Sequence, residues 1–199
     1  MAIDEALLFS IEKPTLRFYR WKAPAVSFGY FGRVADAERF AAGREIVRRW
    51  TGGGIVPHGE DLTYSIMIPA LCDAFAQGSR VLYEFTHAAL SSSLNQQGFA
   101  SALTPTKSQK VSEACFANPV TSDVMLGGVK IAGAAHRRTK TGLLHQGSVQ
   151  LRLEPSFCES FASAVAQRQN TIELAERTQA AAREIAKHKY STLAWNCRR

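Results

Sequence analysis

Hydrophobic and polar positions follow two rhythms along this chain. Residues 2–12 place Ile3, Leu7, Leu8 and Ile11 on one helical face, with Asp4 and Glu5 in the first turn, where the helix dipole favours carboxylates. The rhythm then shortens. Residues 16–21 and 25–28 read as strands parted by Lys22-Ala23-Pro24, residues 35–42 as a short helix and residues 45–49 as a further strand. A Gly52-Gly53-Gly54 turn leads to Ile55-Val56 and a strand over 62–68. Residues 80–97 predict a long helix with Leu82, Phe85, Ala89 and Leu94 turned inward, and the polar stretch 103–113 predicts a surface loop. Strands follow at 122–126, 129–135 and 143–153, the first two joined at Gly127-Gly128, before two helices near 155–167 and 171–188. No repeat or low-complexity tract interrupts the pattern. It predicts an α+β fold, a mixed and largely antiparallel sheet with helices on one face.

Composition changes this picture little. The chain has 199 residues, 46% hydrophobic and 21% charged, the balance of a soluble globular protein able to bury a sizeable core. The apolar run 66–71 falls far short of the ~20 residues of a membrane span, and the acidic start does not resemble a signal peptide. Lys plus Arg outnumber Asp plus Glu by 24 to 17, a formal charge of +7 that favours anionic partners. Zinc-finger spacing, basic-region heptads and RNP-like motifs are absent from the sequence, so nucleic acid is not expected as a partner, and neither is a membrane. Cys72, Cys115, Cys158 and Cys197 form no CxxC, which argues against a metal site or disulfide framework and for a reducing cytoplasm.

Two segments carry candidate chemistry. In Arg48-Arg49-Trp50-Thr51-Gly52-Gly53-Gly54-Ile55-Val56-Pro57-His58 the glycines let backbone amides approach a ligand, and Arg48 or Arg49 can add bidentate contacts to a carboxylate or phosphate. Alone, such a turn is more often a flexible hairpin tip with two solvated arginines than a binding loop. In Gly128-Val129-Lys130-Ile131-Ala132-Gly133-Ala134-Ala135 a lysine sits among apolar and small residues. It is either a point charge in a tight site, with Gly133 and Ala135 leaving room for a slender ligand, or an edge-strand lysine facing solvent.

Together these segments resemble the biotin/lipoate protein ligase and octanoyltransferase superfamily. The first signature is Arg48-Arg49-x-Thr51-Gly52-Gly53-Gly54-x-Val56-x-His58 with Leu62-Thr63-Tyr64-Ser65 after it. The second is Lys130-Ile131-Ala132-Gly133-x-Ala135-x-Arg137-Arg138 with Leu144-His145-Gln146-Gly147-Ser148. Residues 1–8 resemble the opening helix, so the likeness runs from residue 1 to about 153. It implies the class II synthetase-like fold of a single catalytic domain over 1–199, with helices over 154–199 and no accessory ligase domain. It also implies a tunnel for an eight-carbon acyl chain, and makes Lys130 the first catalytic candidate. Arg49, Thr51, Gly52, Gly53, Gly54, His58, Gly133, Ala135 and His145 fall on positions that line the acyl or acyl-adenylate site. His136, Gln146 and Gly59 depart from common family residues. The family also places a strand before the opening helix, which implies residues upstream of Met1.

Cys115-Phe116-Ala117-Asn118-Pro119 is similar to the Cys-Phe-x-x-Pro context of the nucleophile in the cysteine-dependent octanoyltransferase branch. A thiol suits a thioester substrate, although a free cysteine is also a common small core residue. The resemblance therefore implies octanoyl transfer from acyl carrier protein, through a Cys115 thioester, to a lysine of a lipoyl domain or glycine-cleavage H protein. No cofactor is required for that reaction. A lipoate–protein ligase using ATP and Mg²⁺ is the alternative, and a non-catalytic acyl- or nucleotide-binding homologue a third. Lys130 is expected to matter for rate and hardly for folding, and Arg137, Arg138 and Lys140 are either a docking rim for acidic partners or a solvated hairpin.

Overall fold

A computed structural model describes residues 1–106, 112 and 114–198. Helix α1 spans Ala2–Leu8, followed by strands β1 (Thr15–Tyr19) and β2 (Ala25–Phe28), helix α2 (Val34–Ala41) and strand β3 (Glu45–Arg48). Strands β4 (Val56–His58) and β5 (Leu62–Pro69) precede a short helix α3 (Asp73–Ala76) and the long α4 (Ser79–Gln96). Strand β6 (Ser101–Leu103) comes next, then a 3₁₀ turn at Cys115–Ala117 and strands β7 (Val124–Leu126), β8 (Val129–Arg138) and β9 (Gly142–Val149). Helices α5 (Pro155–Val165) and α6 (Glu176–Ile185), a π-helical turn at Ala186–Tyr190 and α7 (Leu193–Asn196) complete the described elements.

Six strands pair antiparallel in the order β1-β5-β9-β8-β7-β6, and a smaller sheet runs β3-β2-β4, with β2 parallel to β3 and antiparallel to β4. The expected mixed, largely antiparallel α+β architecture is thus present, but helices cover both faces of the large sheet rather than one. On one face Leu90 and Leu94 of α4 and Phe157 and Phe161 of α5 pack against Leu62, Tyr64 and Val149. On the other, Leu7 and Leu8 of α1 pack with Met67, Leu144 and Trp50. Alternation along β5 sends Tyr64 to one layer and Met67 to the other.

Several boundaries differ from the sequence expectation. The first helix ends at Leu8, and the last long helix begins at Glu176 and loosens into a π turn at Ala186. Phe85 lies exposed beside the stripe of Leu82, Thr86, Ala89, Leu90 and Leu94 that α4 buries. Ser122 takes a positive φ of 68°, so the strand expected from it starts at Val124. Residues 101–103 form an unexpected strand on β7, and most of the loop expected over 103–113 lies outside the described residues. Gly127 and Gly128, both at positive φ, make the expected turn between β7 and β8. Among the described residues no helix is long and apolar enough to cross a membrane.

Candidate functional site

Lys130 is buried on the inner strand β8, not exposed on an edge. The register of β7 against β8 shifts between Val124 and Met125, which pair with Ala132 and Lys130, so one extra residue sits on β8. Such a bulge re-aims a side chain. Lys130 turns back along the sheet, and its Nζ meets Asp123 Oδ2 at 2.7 Å. Asp123 is fully buried and also accepts from the Tyr83 hydroxyl and, at 2.6 Å, from the Val120 amide. The lysine is therefore a fixed cation in the sheet's interior. Gly133 is where its stem passes: a Cβ there would lie 2.6 Å from Lys130 Cε and 2.8 Å from Nζ.

Cys115 stands at the end of this cation. Its Sγ is 3.7 Å from Lys130 Nζ, which also donates to the Cys115 carbonyl at 3.2 Å. The turn that carries it is pinned to the exit of the glycine segment, because the Cys115 amide donates to the Ile55 carbonyl at 2.9 Å and Ala114 bridges Ile55. Asn118 closes the turn by donating to the carbonyls of Ser112 and Ala114. The Cys-x-x-Asn-Pro spacing is thus the spacing of a self-stapled loop, with the sulfur half-buried at its head.

The two arginines at the start of the glycine segment divide their work. Arg49 donates to the carbonyls of Gly52 and Gly54 at 3.0 and 2.8 Å and to Ser27 Oγ at 2.7 Å, so it curls the loop around itself. Burial lowers the pKa of this guanidinium, and the nearby Cys115 opposes that shift. Gly53, at φ 88°, supplies the left-handed turn. Arg48, expected to be available to an anion, is 1% exposed and holds the carbonyls of Tyr30, Gly32, Trp195, Asn196 and Arg198 instead. Strand alternation gives neighbouring arginines opposite faces.

Between the glycine segment and β8–β9 lies a narrow, mostly apolar pocket that opens to solvent, with about 430 Å³ of empty space counted together with its open mouth. Arg49, Gly53, His58, Cys115, Gly133 and Ala135 line it, which brings together six of the residues singled out in the sequence. Trp21, Ser27, Gln146 and Ser148 also line it and were not singled out as site residues. Thr51 sits behind the wall, where its hydroxyl donates to Gln146 Oε1 at 2.9 Å while Gln146 Nε2 donates to buried Asp4 at 2.8 Å. Asp4 also takes Arg17 at 2.7 Å and Ser65 at 2.9 Å, and although burial pushes its pKa up, the neighbouring cations and donors outweigh that and hold it below the usual carboxylate range. Sequence alone marks Asp4 only as a helix-dipole residue; its role as the anchor of Gln146 comes from pairings across the fold.

His145 is on the other face of the sheet. Gln146 and Ser148 point into the pocket, so alternation along β9 turns His145 away, where it contacts Tyr64 at 3.2 Å and the His136 ring, beside His87 of α4. Its expected place in the acyl site is corrected on that ground. Burial lowers all three of these histidines, His87 and His136 to about 4.

A large antiparallel sheet flanked by helices is the catalytic-domain fold of the biotin/lipoate A/B protein ligase superfamily. Within it, the sequence matches the lipoyl protein ligase A/B catalytic domain over residues 1–189, and the chain belongs to that family. It is 34% identical over 165 residues to octanoyltransferase LipM of Moorella thermoacetica and 36% identical over 162 residues to that of Oceanobacillus iheyensis, each alignment covering 77% of this chain. The chain spans only 60% and 59% of those relatives' lengths. Among solved structures, lipoate-protein ligase A bound with ATP superposes with a TM-score of 0.73 at 25% identity, covering 98% of this chain and 92% of the other. The bi-partite lipoate protein ligase of Thermoplasma acidophilum, solved with its E2 lipoyl domain, superposes at 0.70 and 23% identity, with 98% and 89% covered.

Proposed function

We propose that this chain is the catalytic unit of a protein octanoyltransferase of lipoate metabolism. The observation that carries the reading is the Cys115 sulfur held 3.7 Å from the Lys130 ammonium at the wall of an apolar pocket. The Cys115 thiolate attacks the carbonyl carbon of an octanoyl thioester on acyl carrier protein. A new C–S bond forms and the carrier thiolate leaves with its electron pair and picks up a proton. The ε-amine of a lysine on a lipoyl domain or H protein then attacks the acyl-enzyme, an amide forms and the Cys115 sulfur is released. Lys130, kept in place by Asp123, offsets negative charge on the sulfur and on the tetrahedral oxyanion. Arg49, Gly53, His58 and Ala135 shape the cavity that takes the acyl chain, and Thr51 with Gln146 fixes the glycine segment. The excess of 24 basic over 17 acidic residues suits acidic carrier and lipoyl domains.

The similarity to an ATP-bound lipoate-protein ligase supports a second reading, in which ATP and Mg²⁺ activate a free acid before transfer. The two are separated by incubating the protein with an apo lipoyl domain and either octanoyl-acyl carrier protein or free octanoate, with and without ATP. Octanoylation from the carrier without nucleotide supports the transferase; modification only from free acid with ATP supports the ligase and removes the first reading.

A further inference from the structure

The pocket holds a second chemical apparatus that the Cys115–Lys130 pair does not use. Asp61 Oδ2 accepts from His58 Nδ1 at 2.8 Å, from Ser148 Oγ at 2.7 Å and from Thr63 Oγ1 at 3.2 Å, and Oδ1 accepts from the Gly59 amide at 2.9 Å. Burial alone would push this carboxyl upward, but these donors, the His58 hydrogen bond foremost, hold it below the usual range, so it is an ionised acceptor. The His58 proton therefore resides on Nδ1. On the other side of the ring, Nε2 lies 2.6 Å from Ser27 Oγ. Ser27 already accepts from Arg49 Nη1 at 2.7 Å, so its own proton points at the Nε2 lone pair. Trp21 stacks on the imidazole with centroids 4.2 Å apart and fixes its plane. Every proton in this chain has one place to be, and the result is the geometry of a serine–histidine–aspartate triad.

Transfer to an amine creates a need for such a chain. The attacking nitrogen carries an extra proton once it has bonded to the acyl carbon, and that proton has to leave before the sulfur departs cleanly. Lys130 is not available to take it, because its ammonium is held by Asp123 at 2.7 Å. His58 is available: burial, chiefly, and the facing Arg49 keep the ring neutral, against the opposing pull of Asp61.

We propose that Ser27, His58 and Asp61 form the proton relay of the amine-acceptor half-reaction, with Ser27 touching the substrate nitrogen and His58 and Asp61 acting through it. The proposal rests on the acyl-enzyme reading above. As the lysine nitrogen bonds to the octanoyl carbon, Ser27 Oγ takes its proton and gives its own to His58 Nε2, and Asp61 faces the imidazolium formed. The C–S bond breaks with its electron pair going to sulfur, and the proton returns through Ser27 to restore the Cys115 thiol. Thioester plus amine thereby become amide plus thiol with nothing left over.

The test separates the two half-reactions in the intact protein. Cys115 is first loaded from octanoyl-acyl carrier protein, the carrier is removed, and loss of the adduct on adding apo lipoyl domain is followed by rapid quench and mass spectrometry. In Ser27→Ala and His58→Asn, discharge to the lipoyl domain should slow ~10²–10⁴-fold, the usual worth of general-base help, and by far more than loading does. Ser27→Thr, which keeps the hydroxyl, should recover most of the discharge rate, a rescue that a merely structural serine would not show. Loading and discharge that are both unchanged, or both slowed alike, would overturn the relay while leaving the acyl-enzyme standing. An octanoyl ester on Ser27 in Cys115→Ala would overturn it in favour of a second nucleophile. No adduct on the wild-type protein would overturn the acyl-enzyme reading and the relay with it.

Discussion

Gly133 has no side chain because the Lys130 stem occupies the space where its Cβ would be, 2.6 Å from Cε. The second signature thus encodes the seat of its own lysine: a bulge on β8 turns Lys130 back, and the glycine three positions on lets it pass. In the sequence Gly133 looked like room for a ligand. Its first service is to the Lys130 side chain.

Gly133→Ala should therefore displace the ammonium from Asp123 and Cys115, while adding a single methyl at the pocket wall. We expect octanoyl transfer to fall toward the ~10²–10³-fold loss typical of removing one oxyanion-stabilising donor. Side-by-side assay of Gly133→Ala and Lys130→Ala checks this; a Gly133→Ala protein of normal rate would show that the lysine tolerates another path.

The buried pair with Asp123 predicts that loss of Lys130 costs stability as well as rate, where the sequence alone predicts little effect on folding. Removing it strands a fully buried Asp123, a change that costs about 3–5 kcal/mol when one partner of a buried ion pair is deleted. Lys130→Met should unfold at much lower urea than the wild type, and Lys130→Met with Asp123→Leu should regain a large part of that stability without regaining activity. Equal stability of the single variant and the wild type would contradict the buried pair.

Arg48 should behave as a clamp on the C-terminal segment. Its guanidinium serves five carbonyls, three of them in residues 195–198, and its backbone amide donates to the Asn196 side chain. Arg48→Lys keeps the charge and loses the fork. It should cost at least about 3 kcal/mol, given ~1.5–3 kcal/mol for each hydrogen bond to a charged group. Limited proteolysis should then cut near residues 193–198 first, and an unchanged digestion pattern would rule the clamp out.

The histidine cluster sets an acid limit on stability. His87 and His136 are lowered to about 4 by burial, and the unfolded chain binds protons to them from about pH 6.5 downward, so the unfolded state gains protons that the folded state refuses. Stability should fall as pH drops from 7 toward 4. Asp4 and Asp61, lowered in the fold, add a further loss below about pH 4. Thermal melts across this range check the sign; a midpoint rising on acidification would contradict it.

Legibility in the sequence followed the range of the interactions. The glycine turn at 52–54, the Gly127-Gly128 hairpin and the strands are written in local patterns, and the expected 62–68 and 129–135 meet the observed Leu62–Pro69 and Val129–Arg138. Cys115 and Lys130 can be singled out as candidates because both stand in recognisable motifs. Asp123, Ser27 and Asp61 cannot, because each is an ordinary polar residue whose meaning comes from a partner on another strand or turn. His145 was misplaced because a one-residue step along a strand changes the face, and nothing local says which face holds the pocket.

On the proposed mechanism Cys115 carries the acyl group. Intact-mass spectrometry after mixing the protein with octanoyl-acyl carrier protein tests it most directly. We expect one octanoyl adduct, removable by neutral hydroxylamine, absent in Cys115→Ser and retained in Cys158→Ser. A lipoyl domain modified only when ATP is present, with Cys115→Ala fully active, would contradict the account.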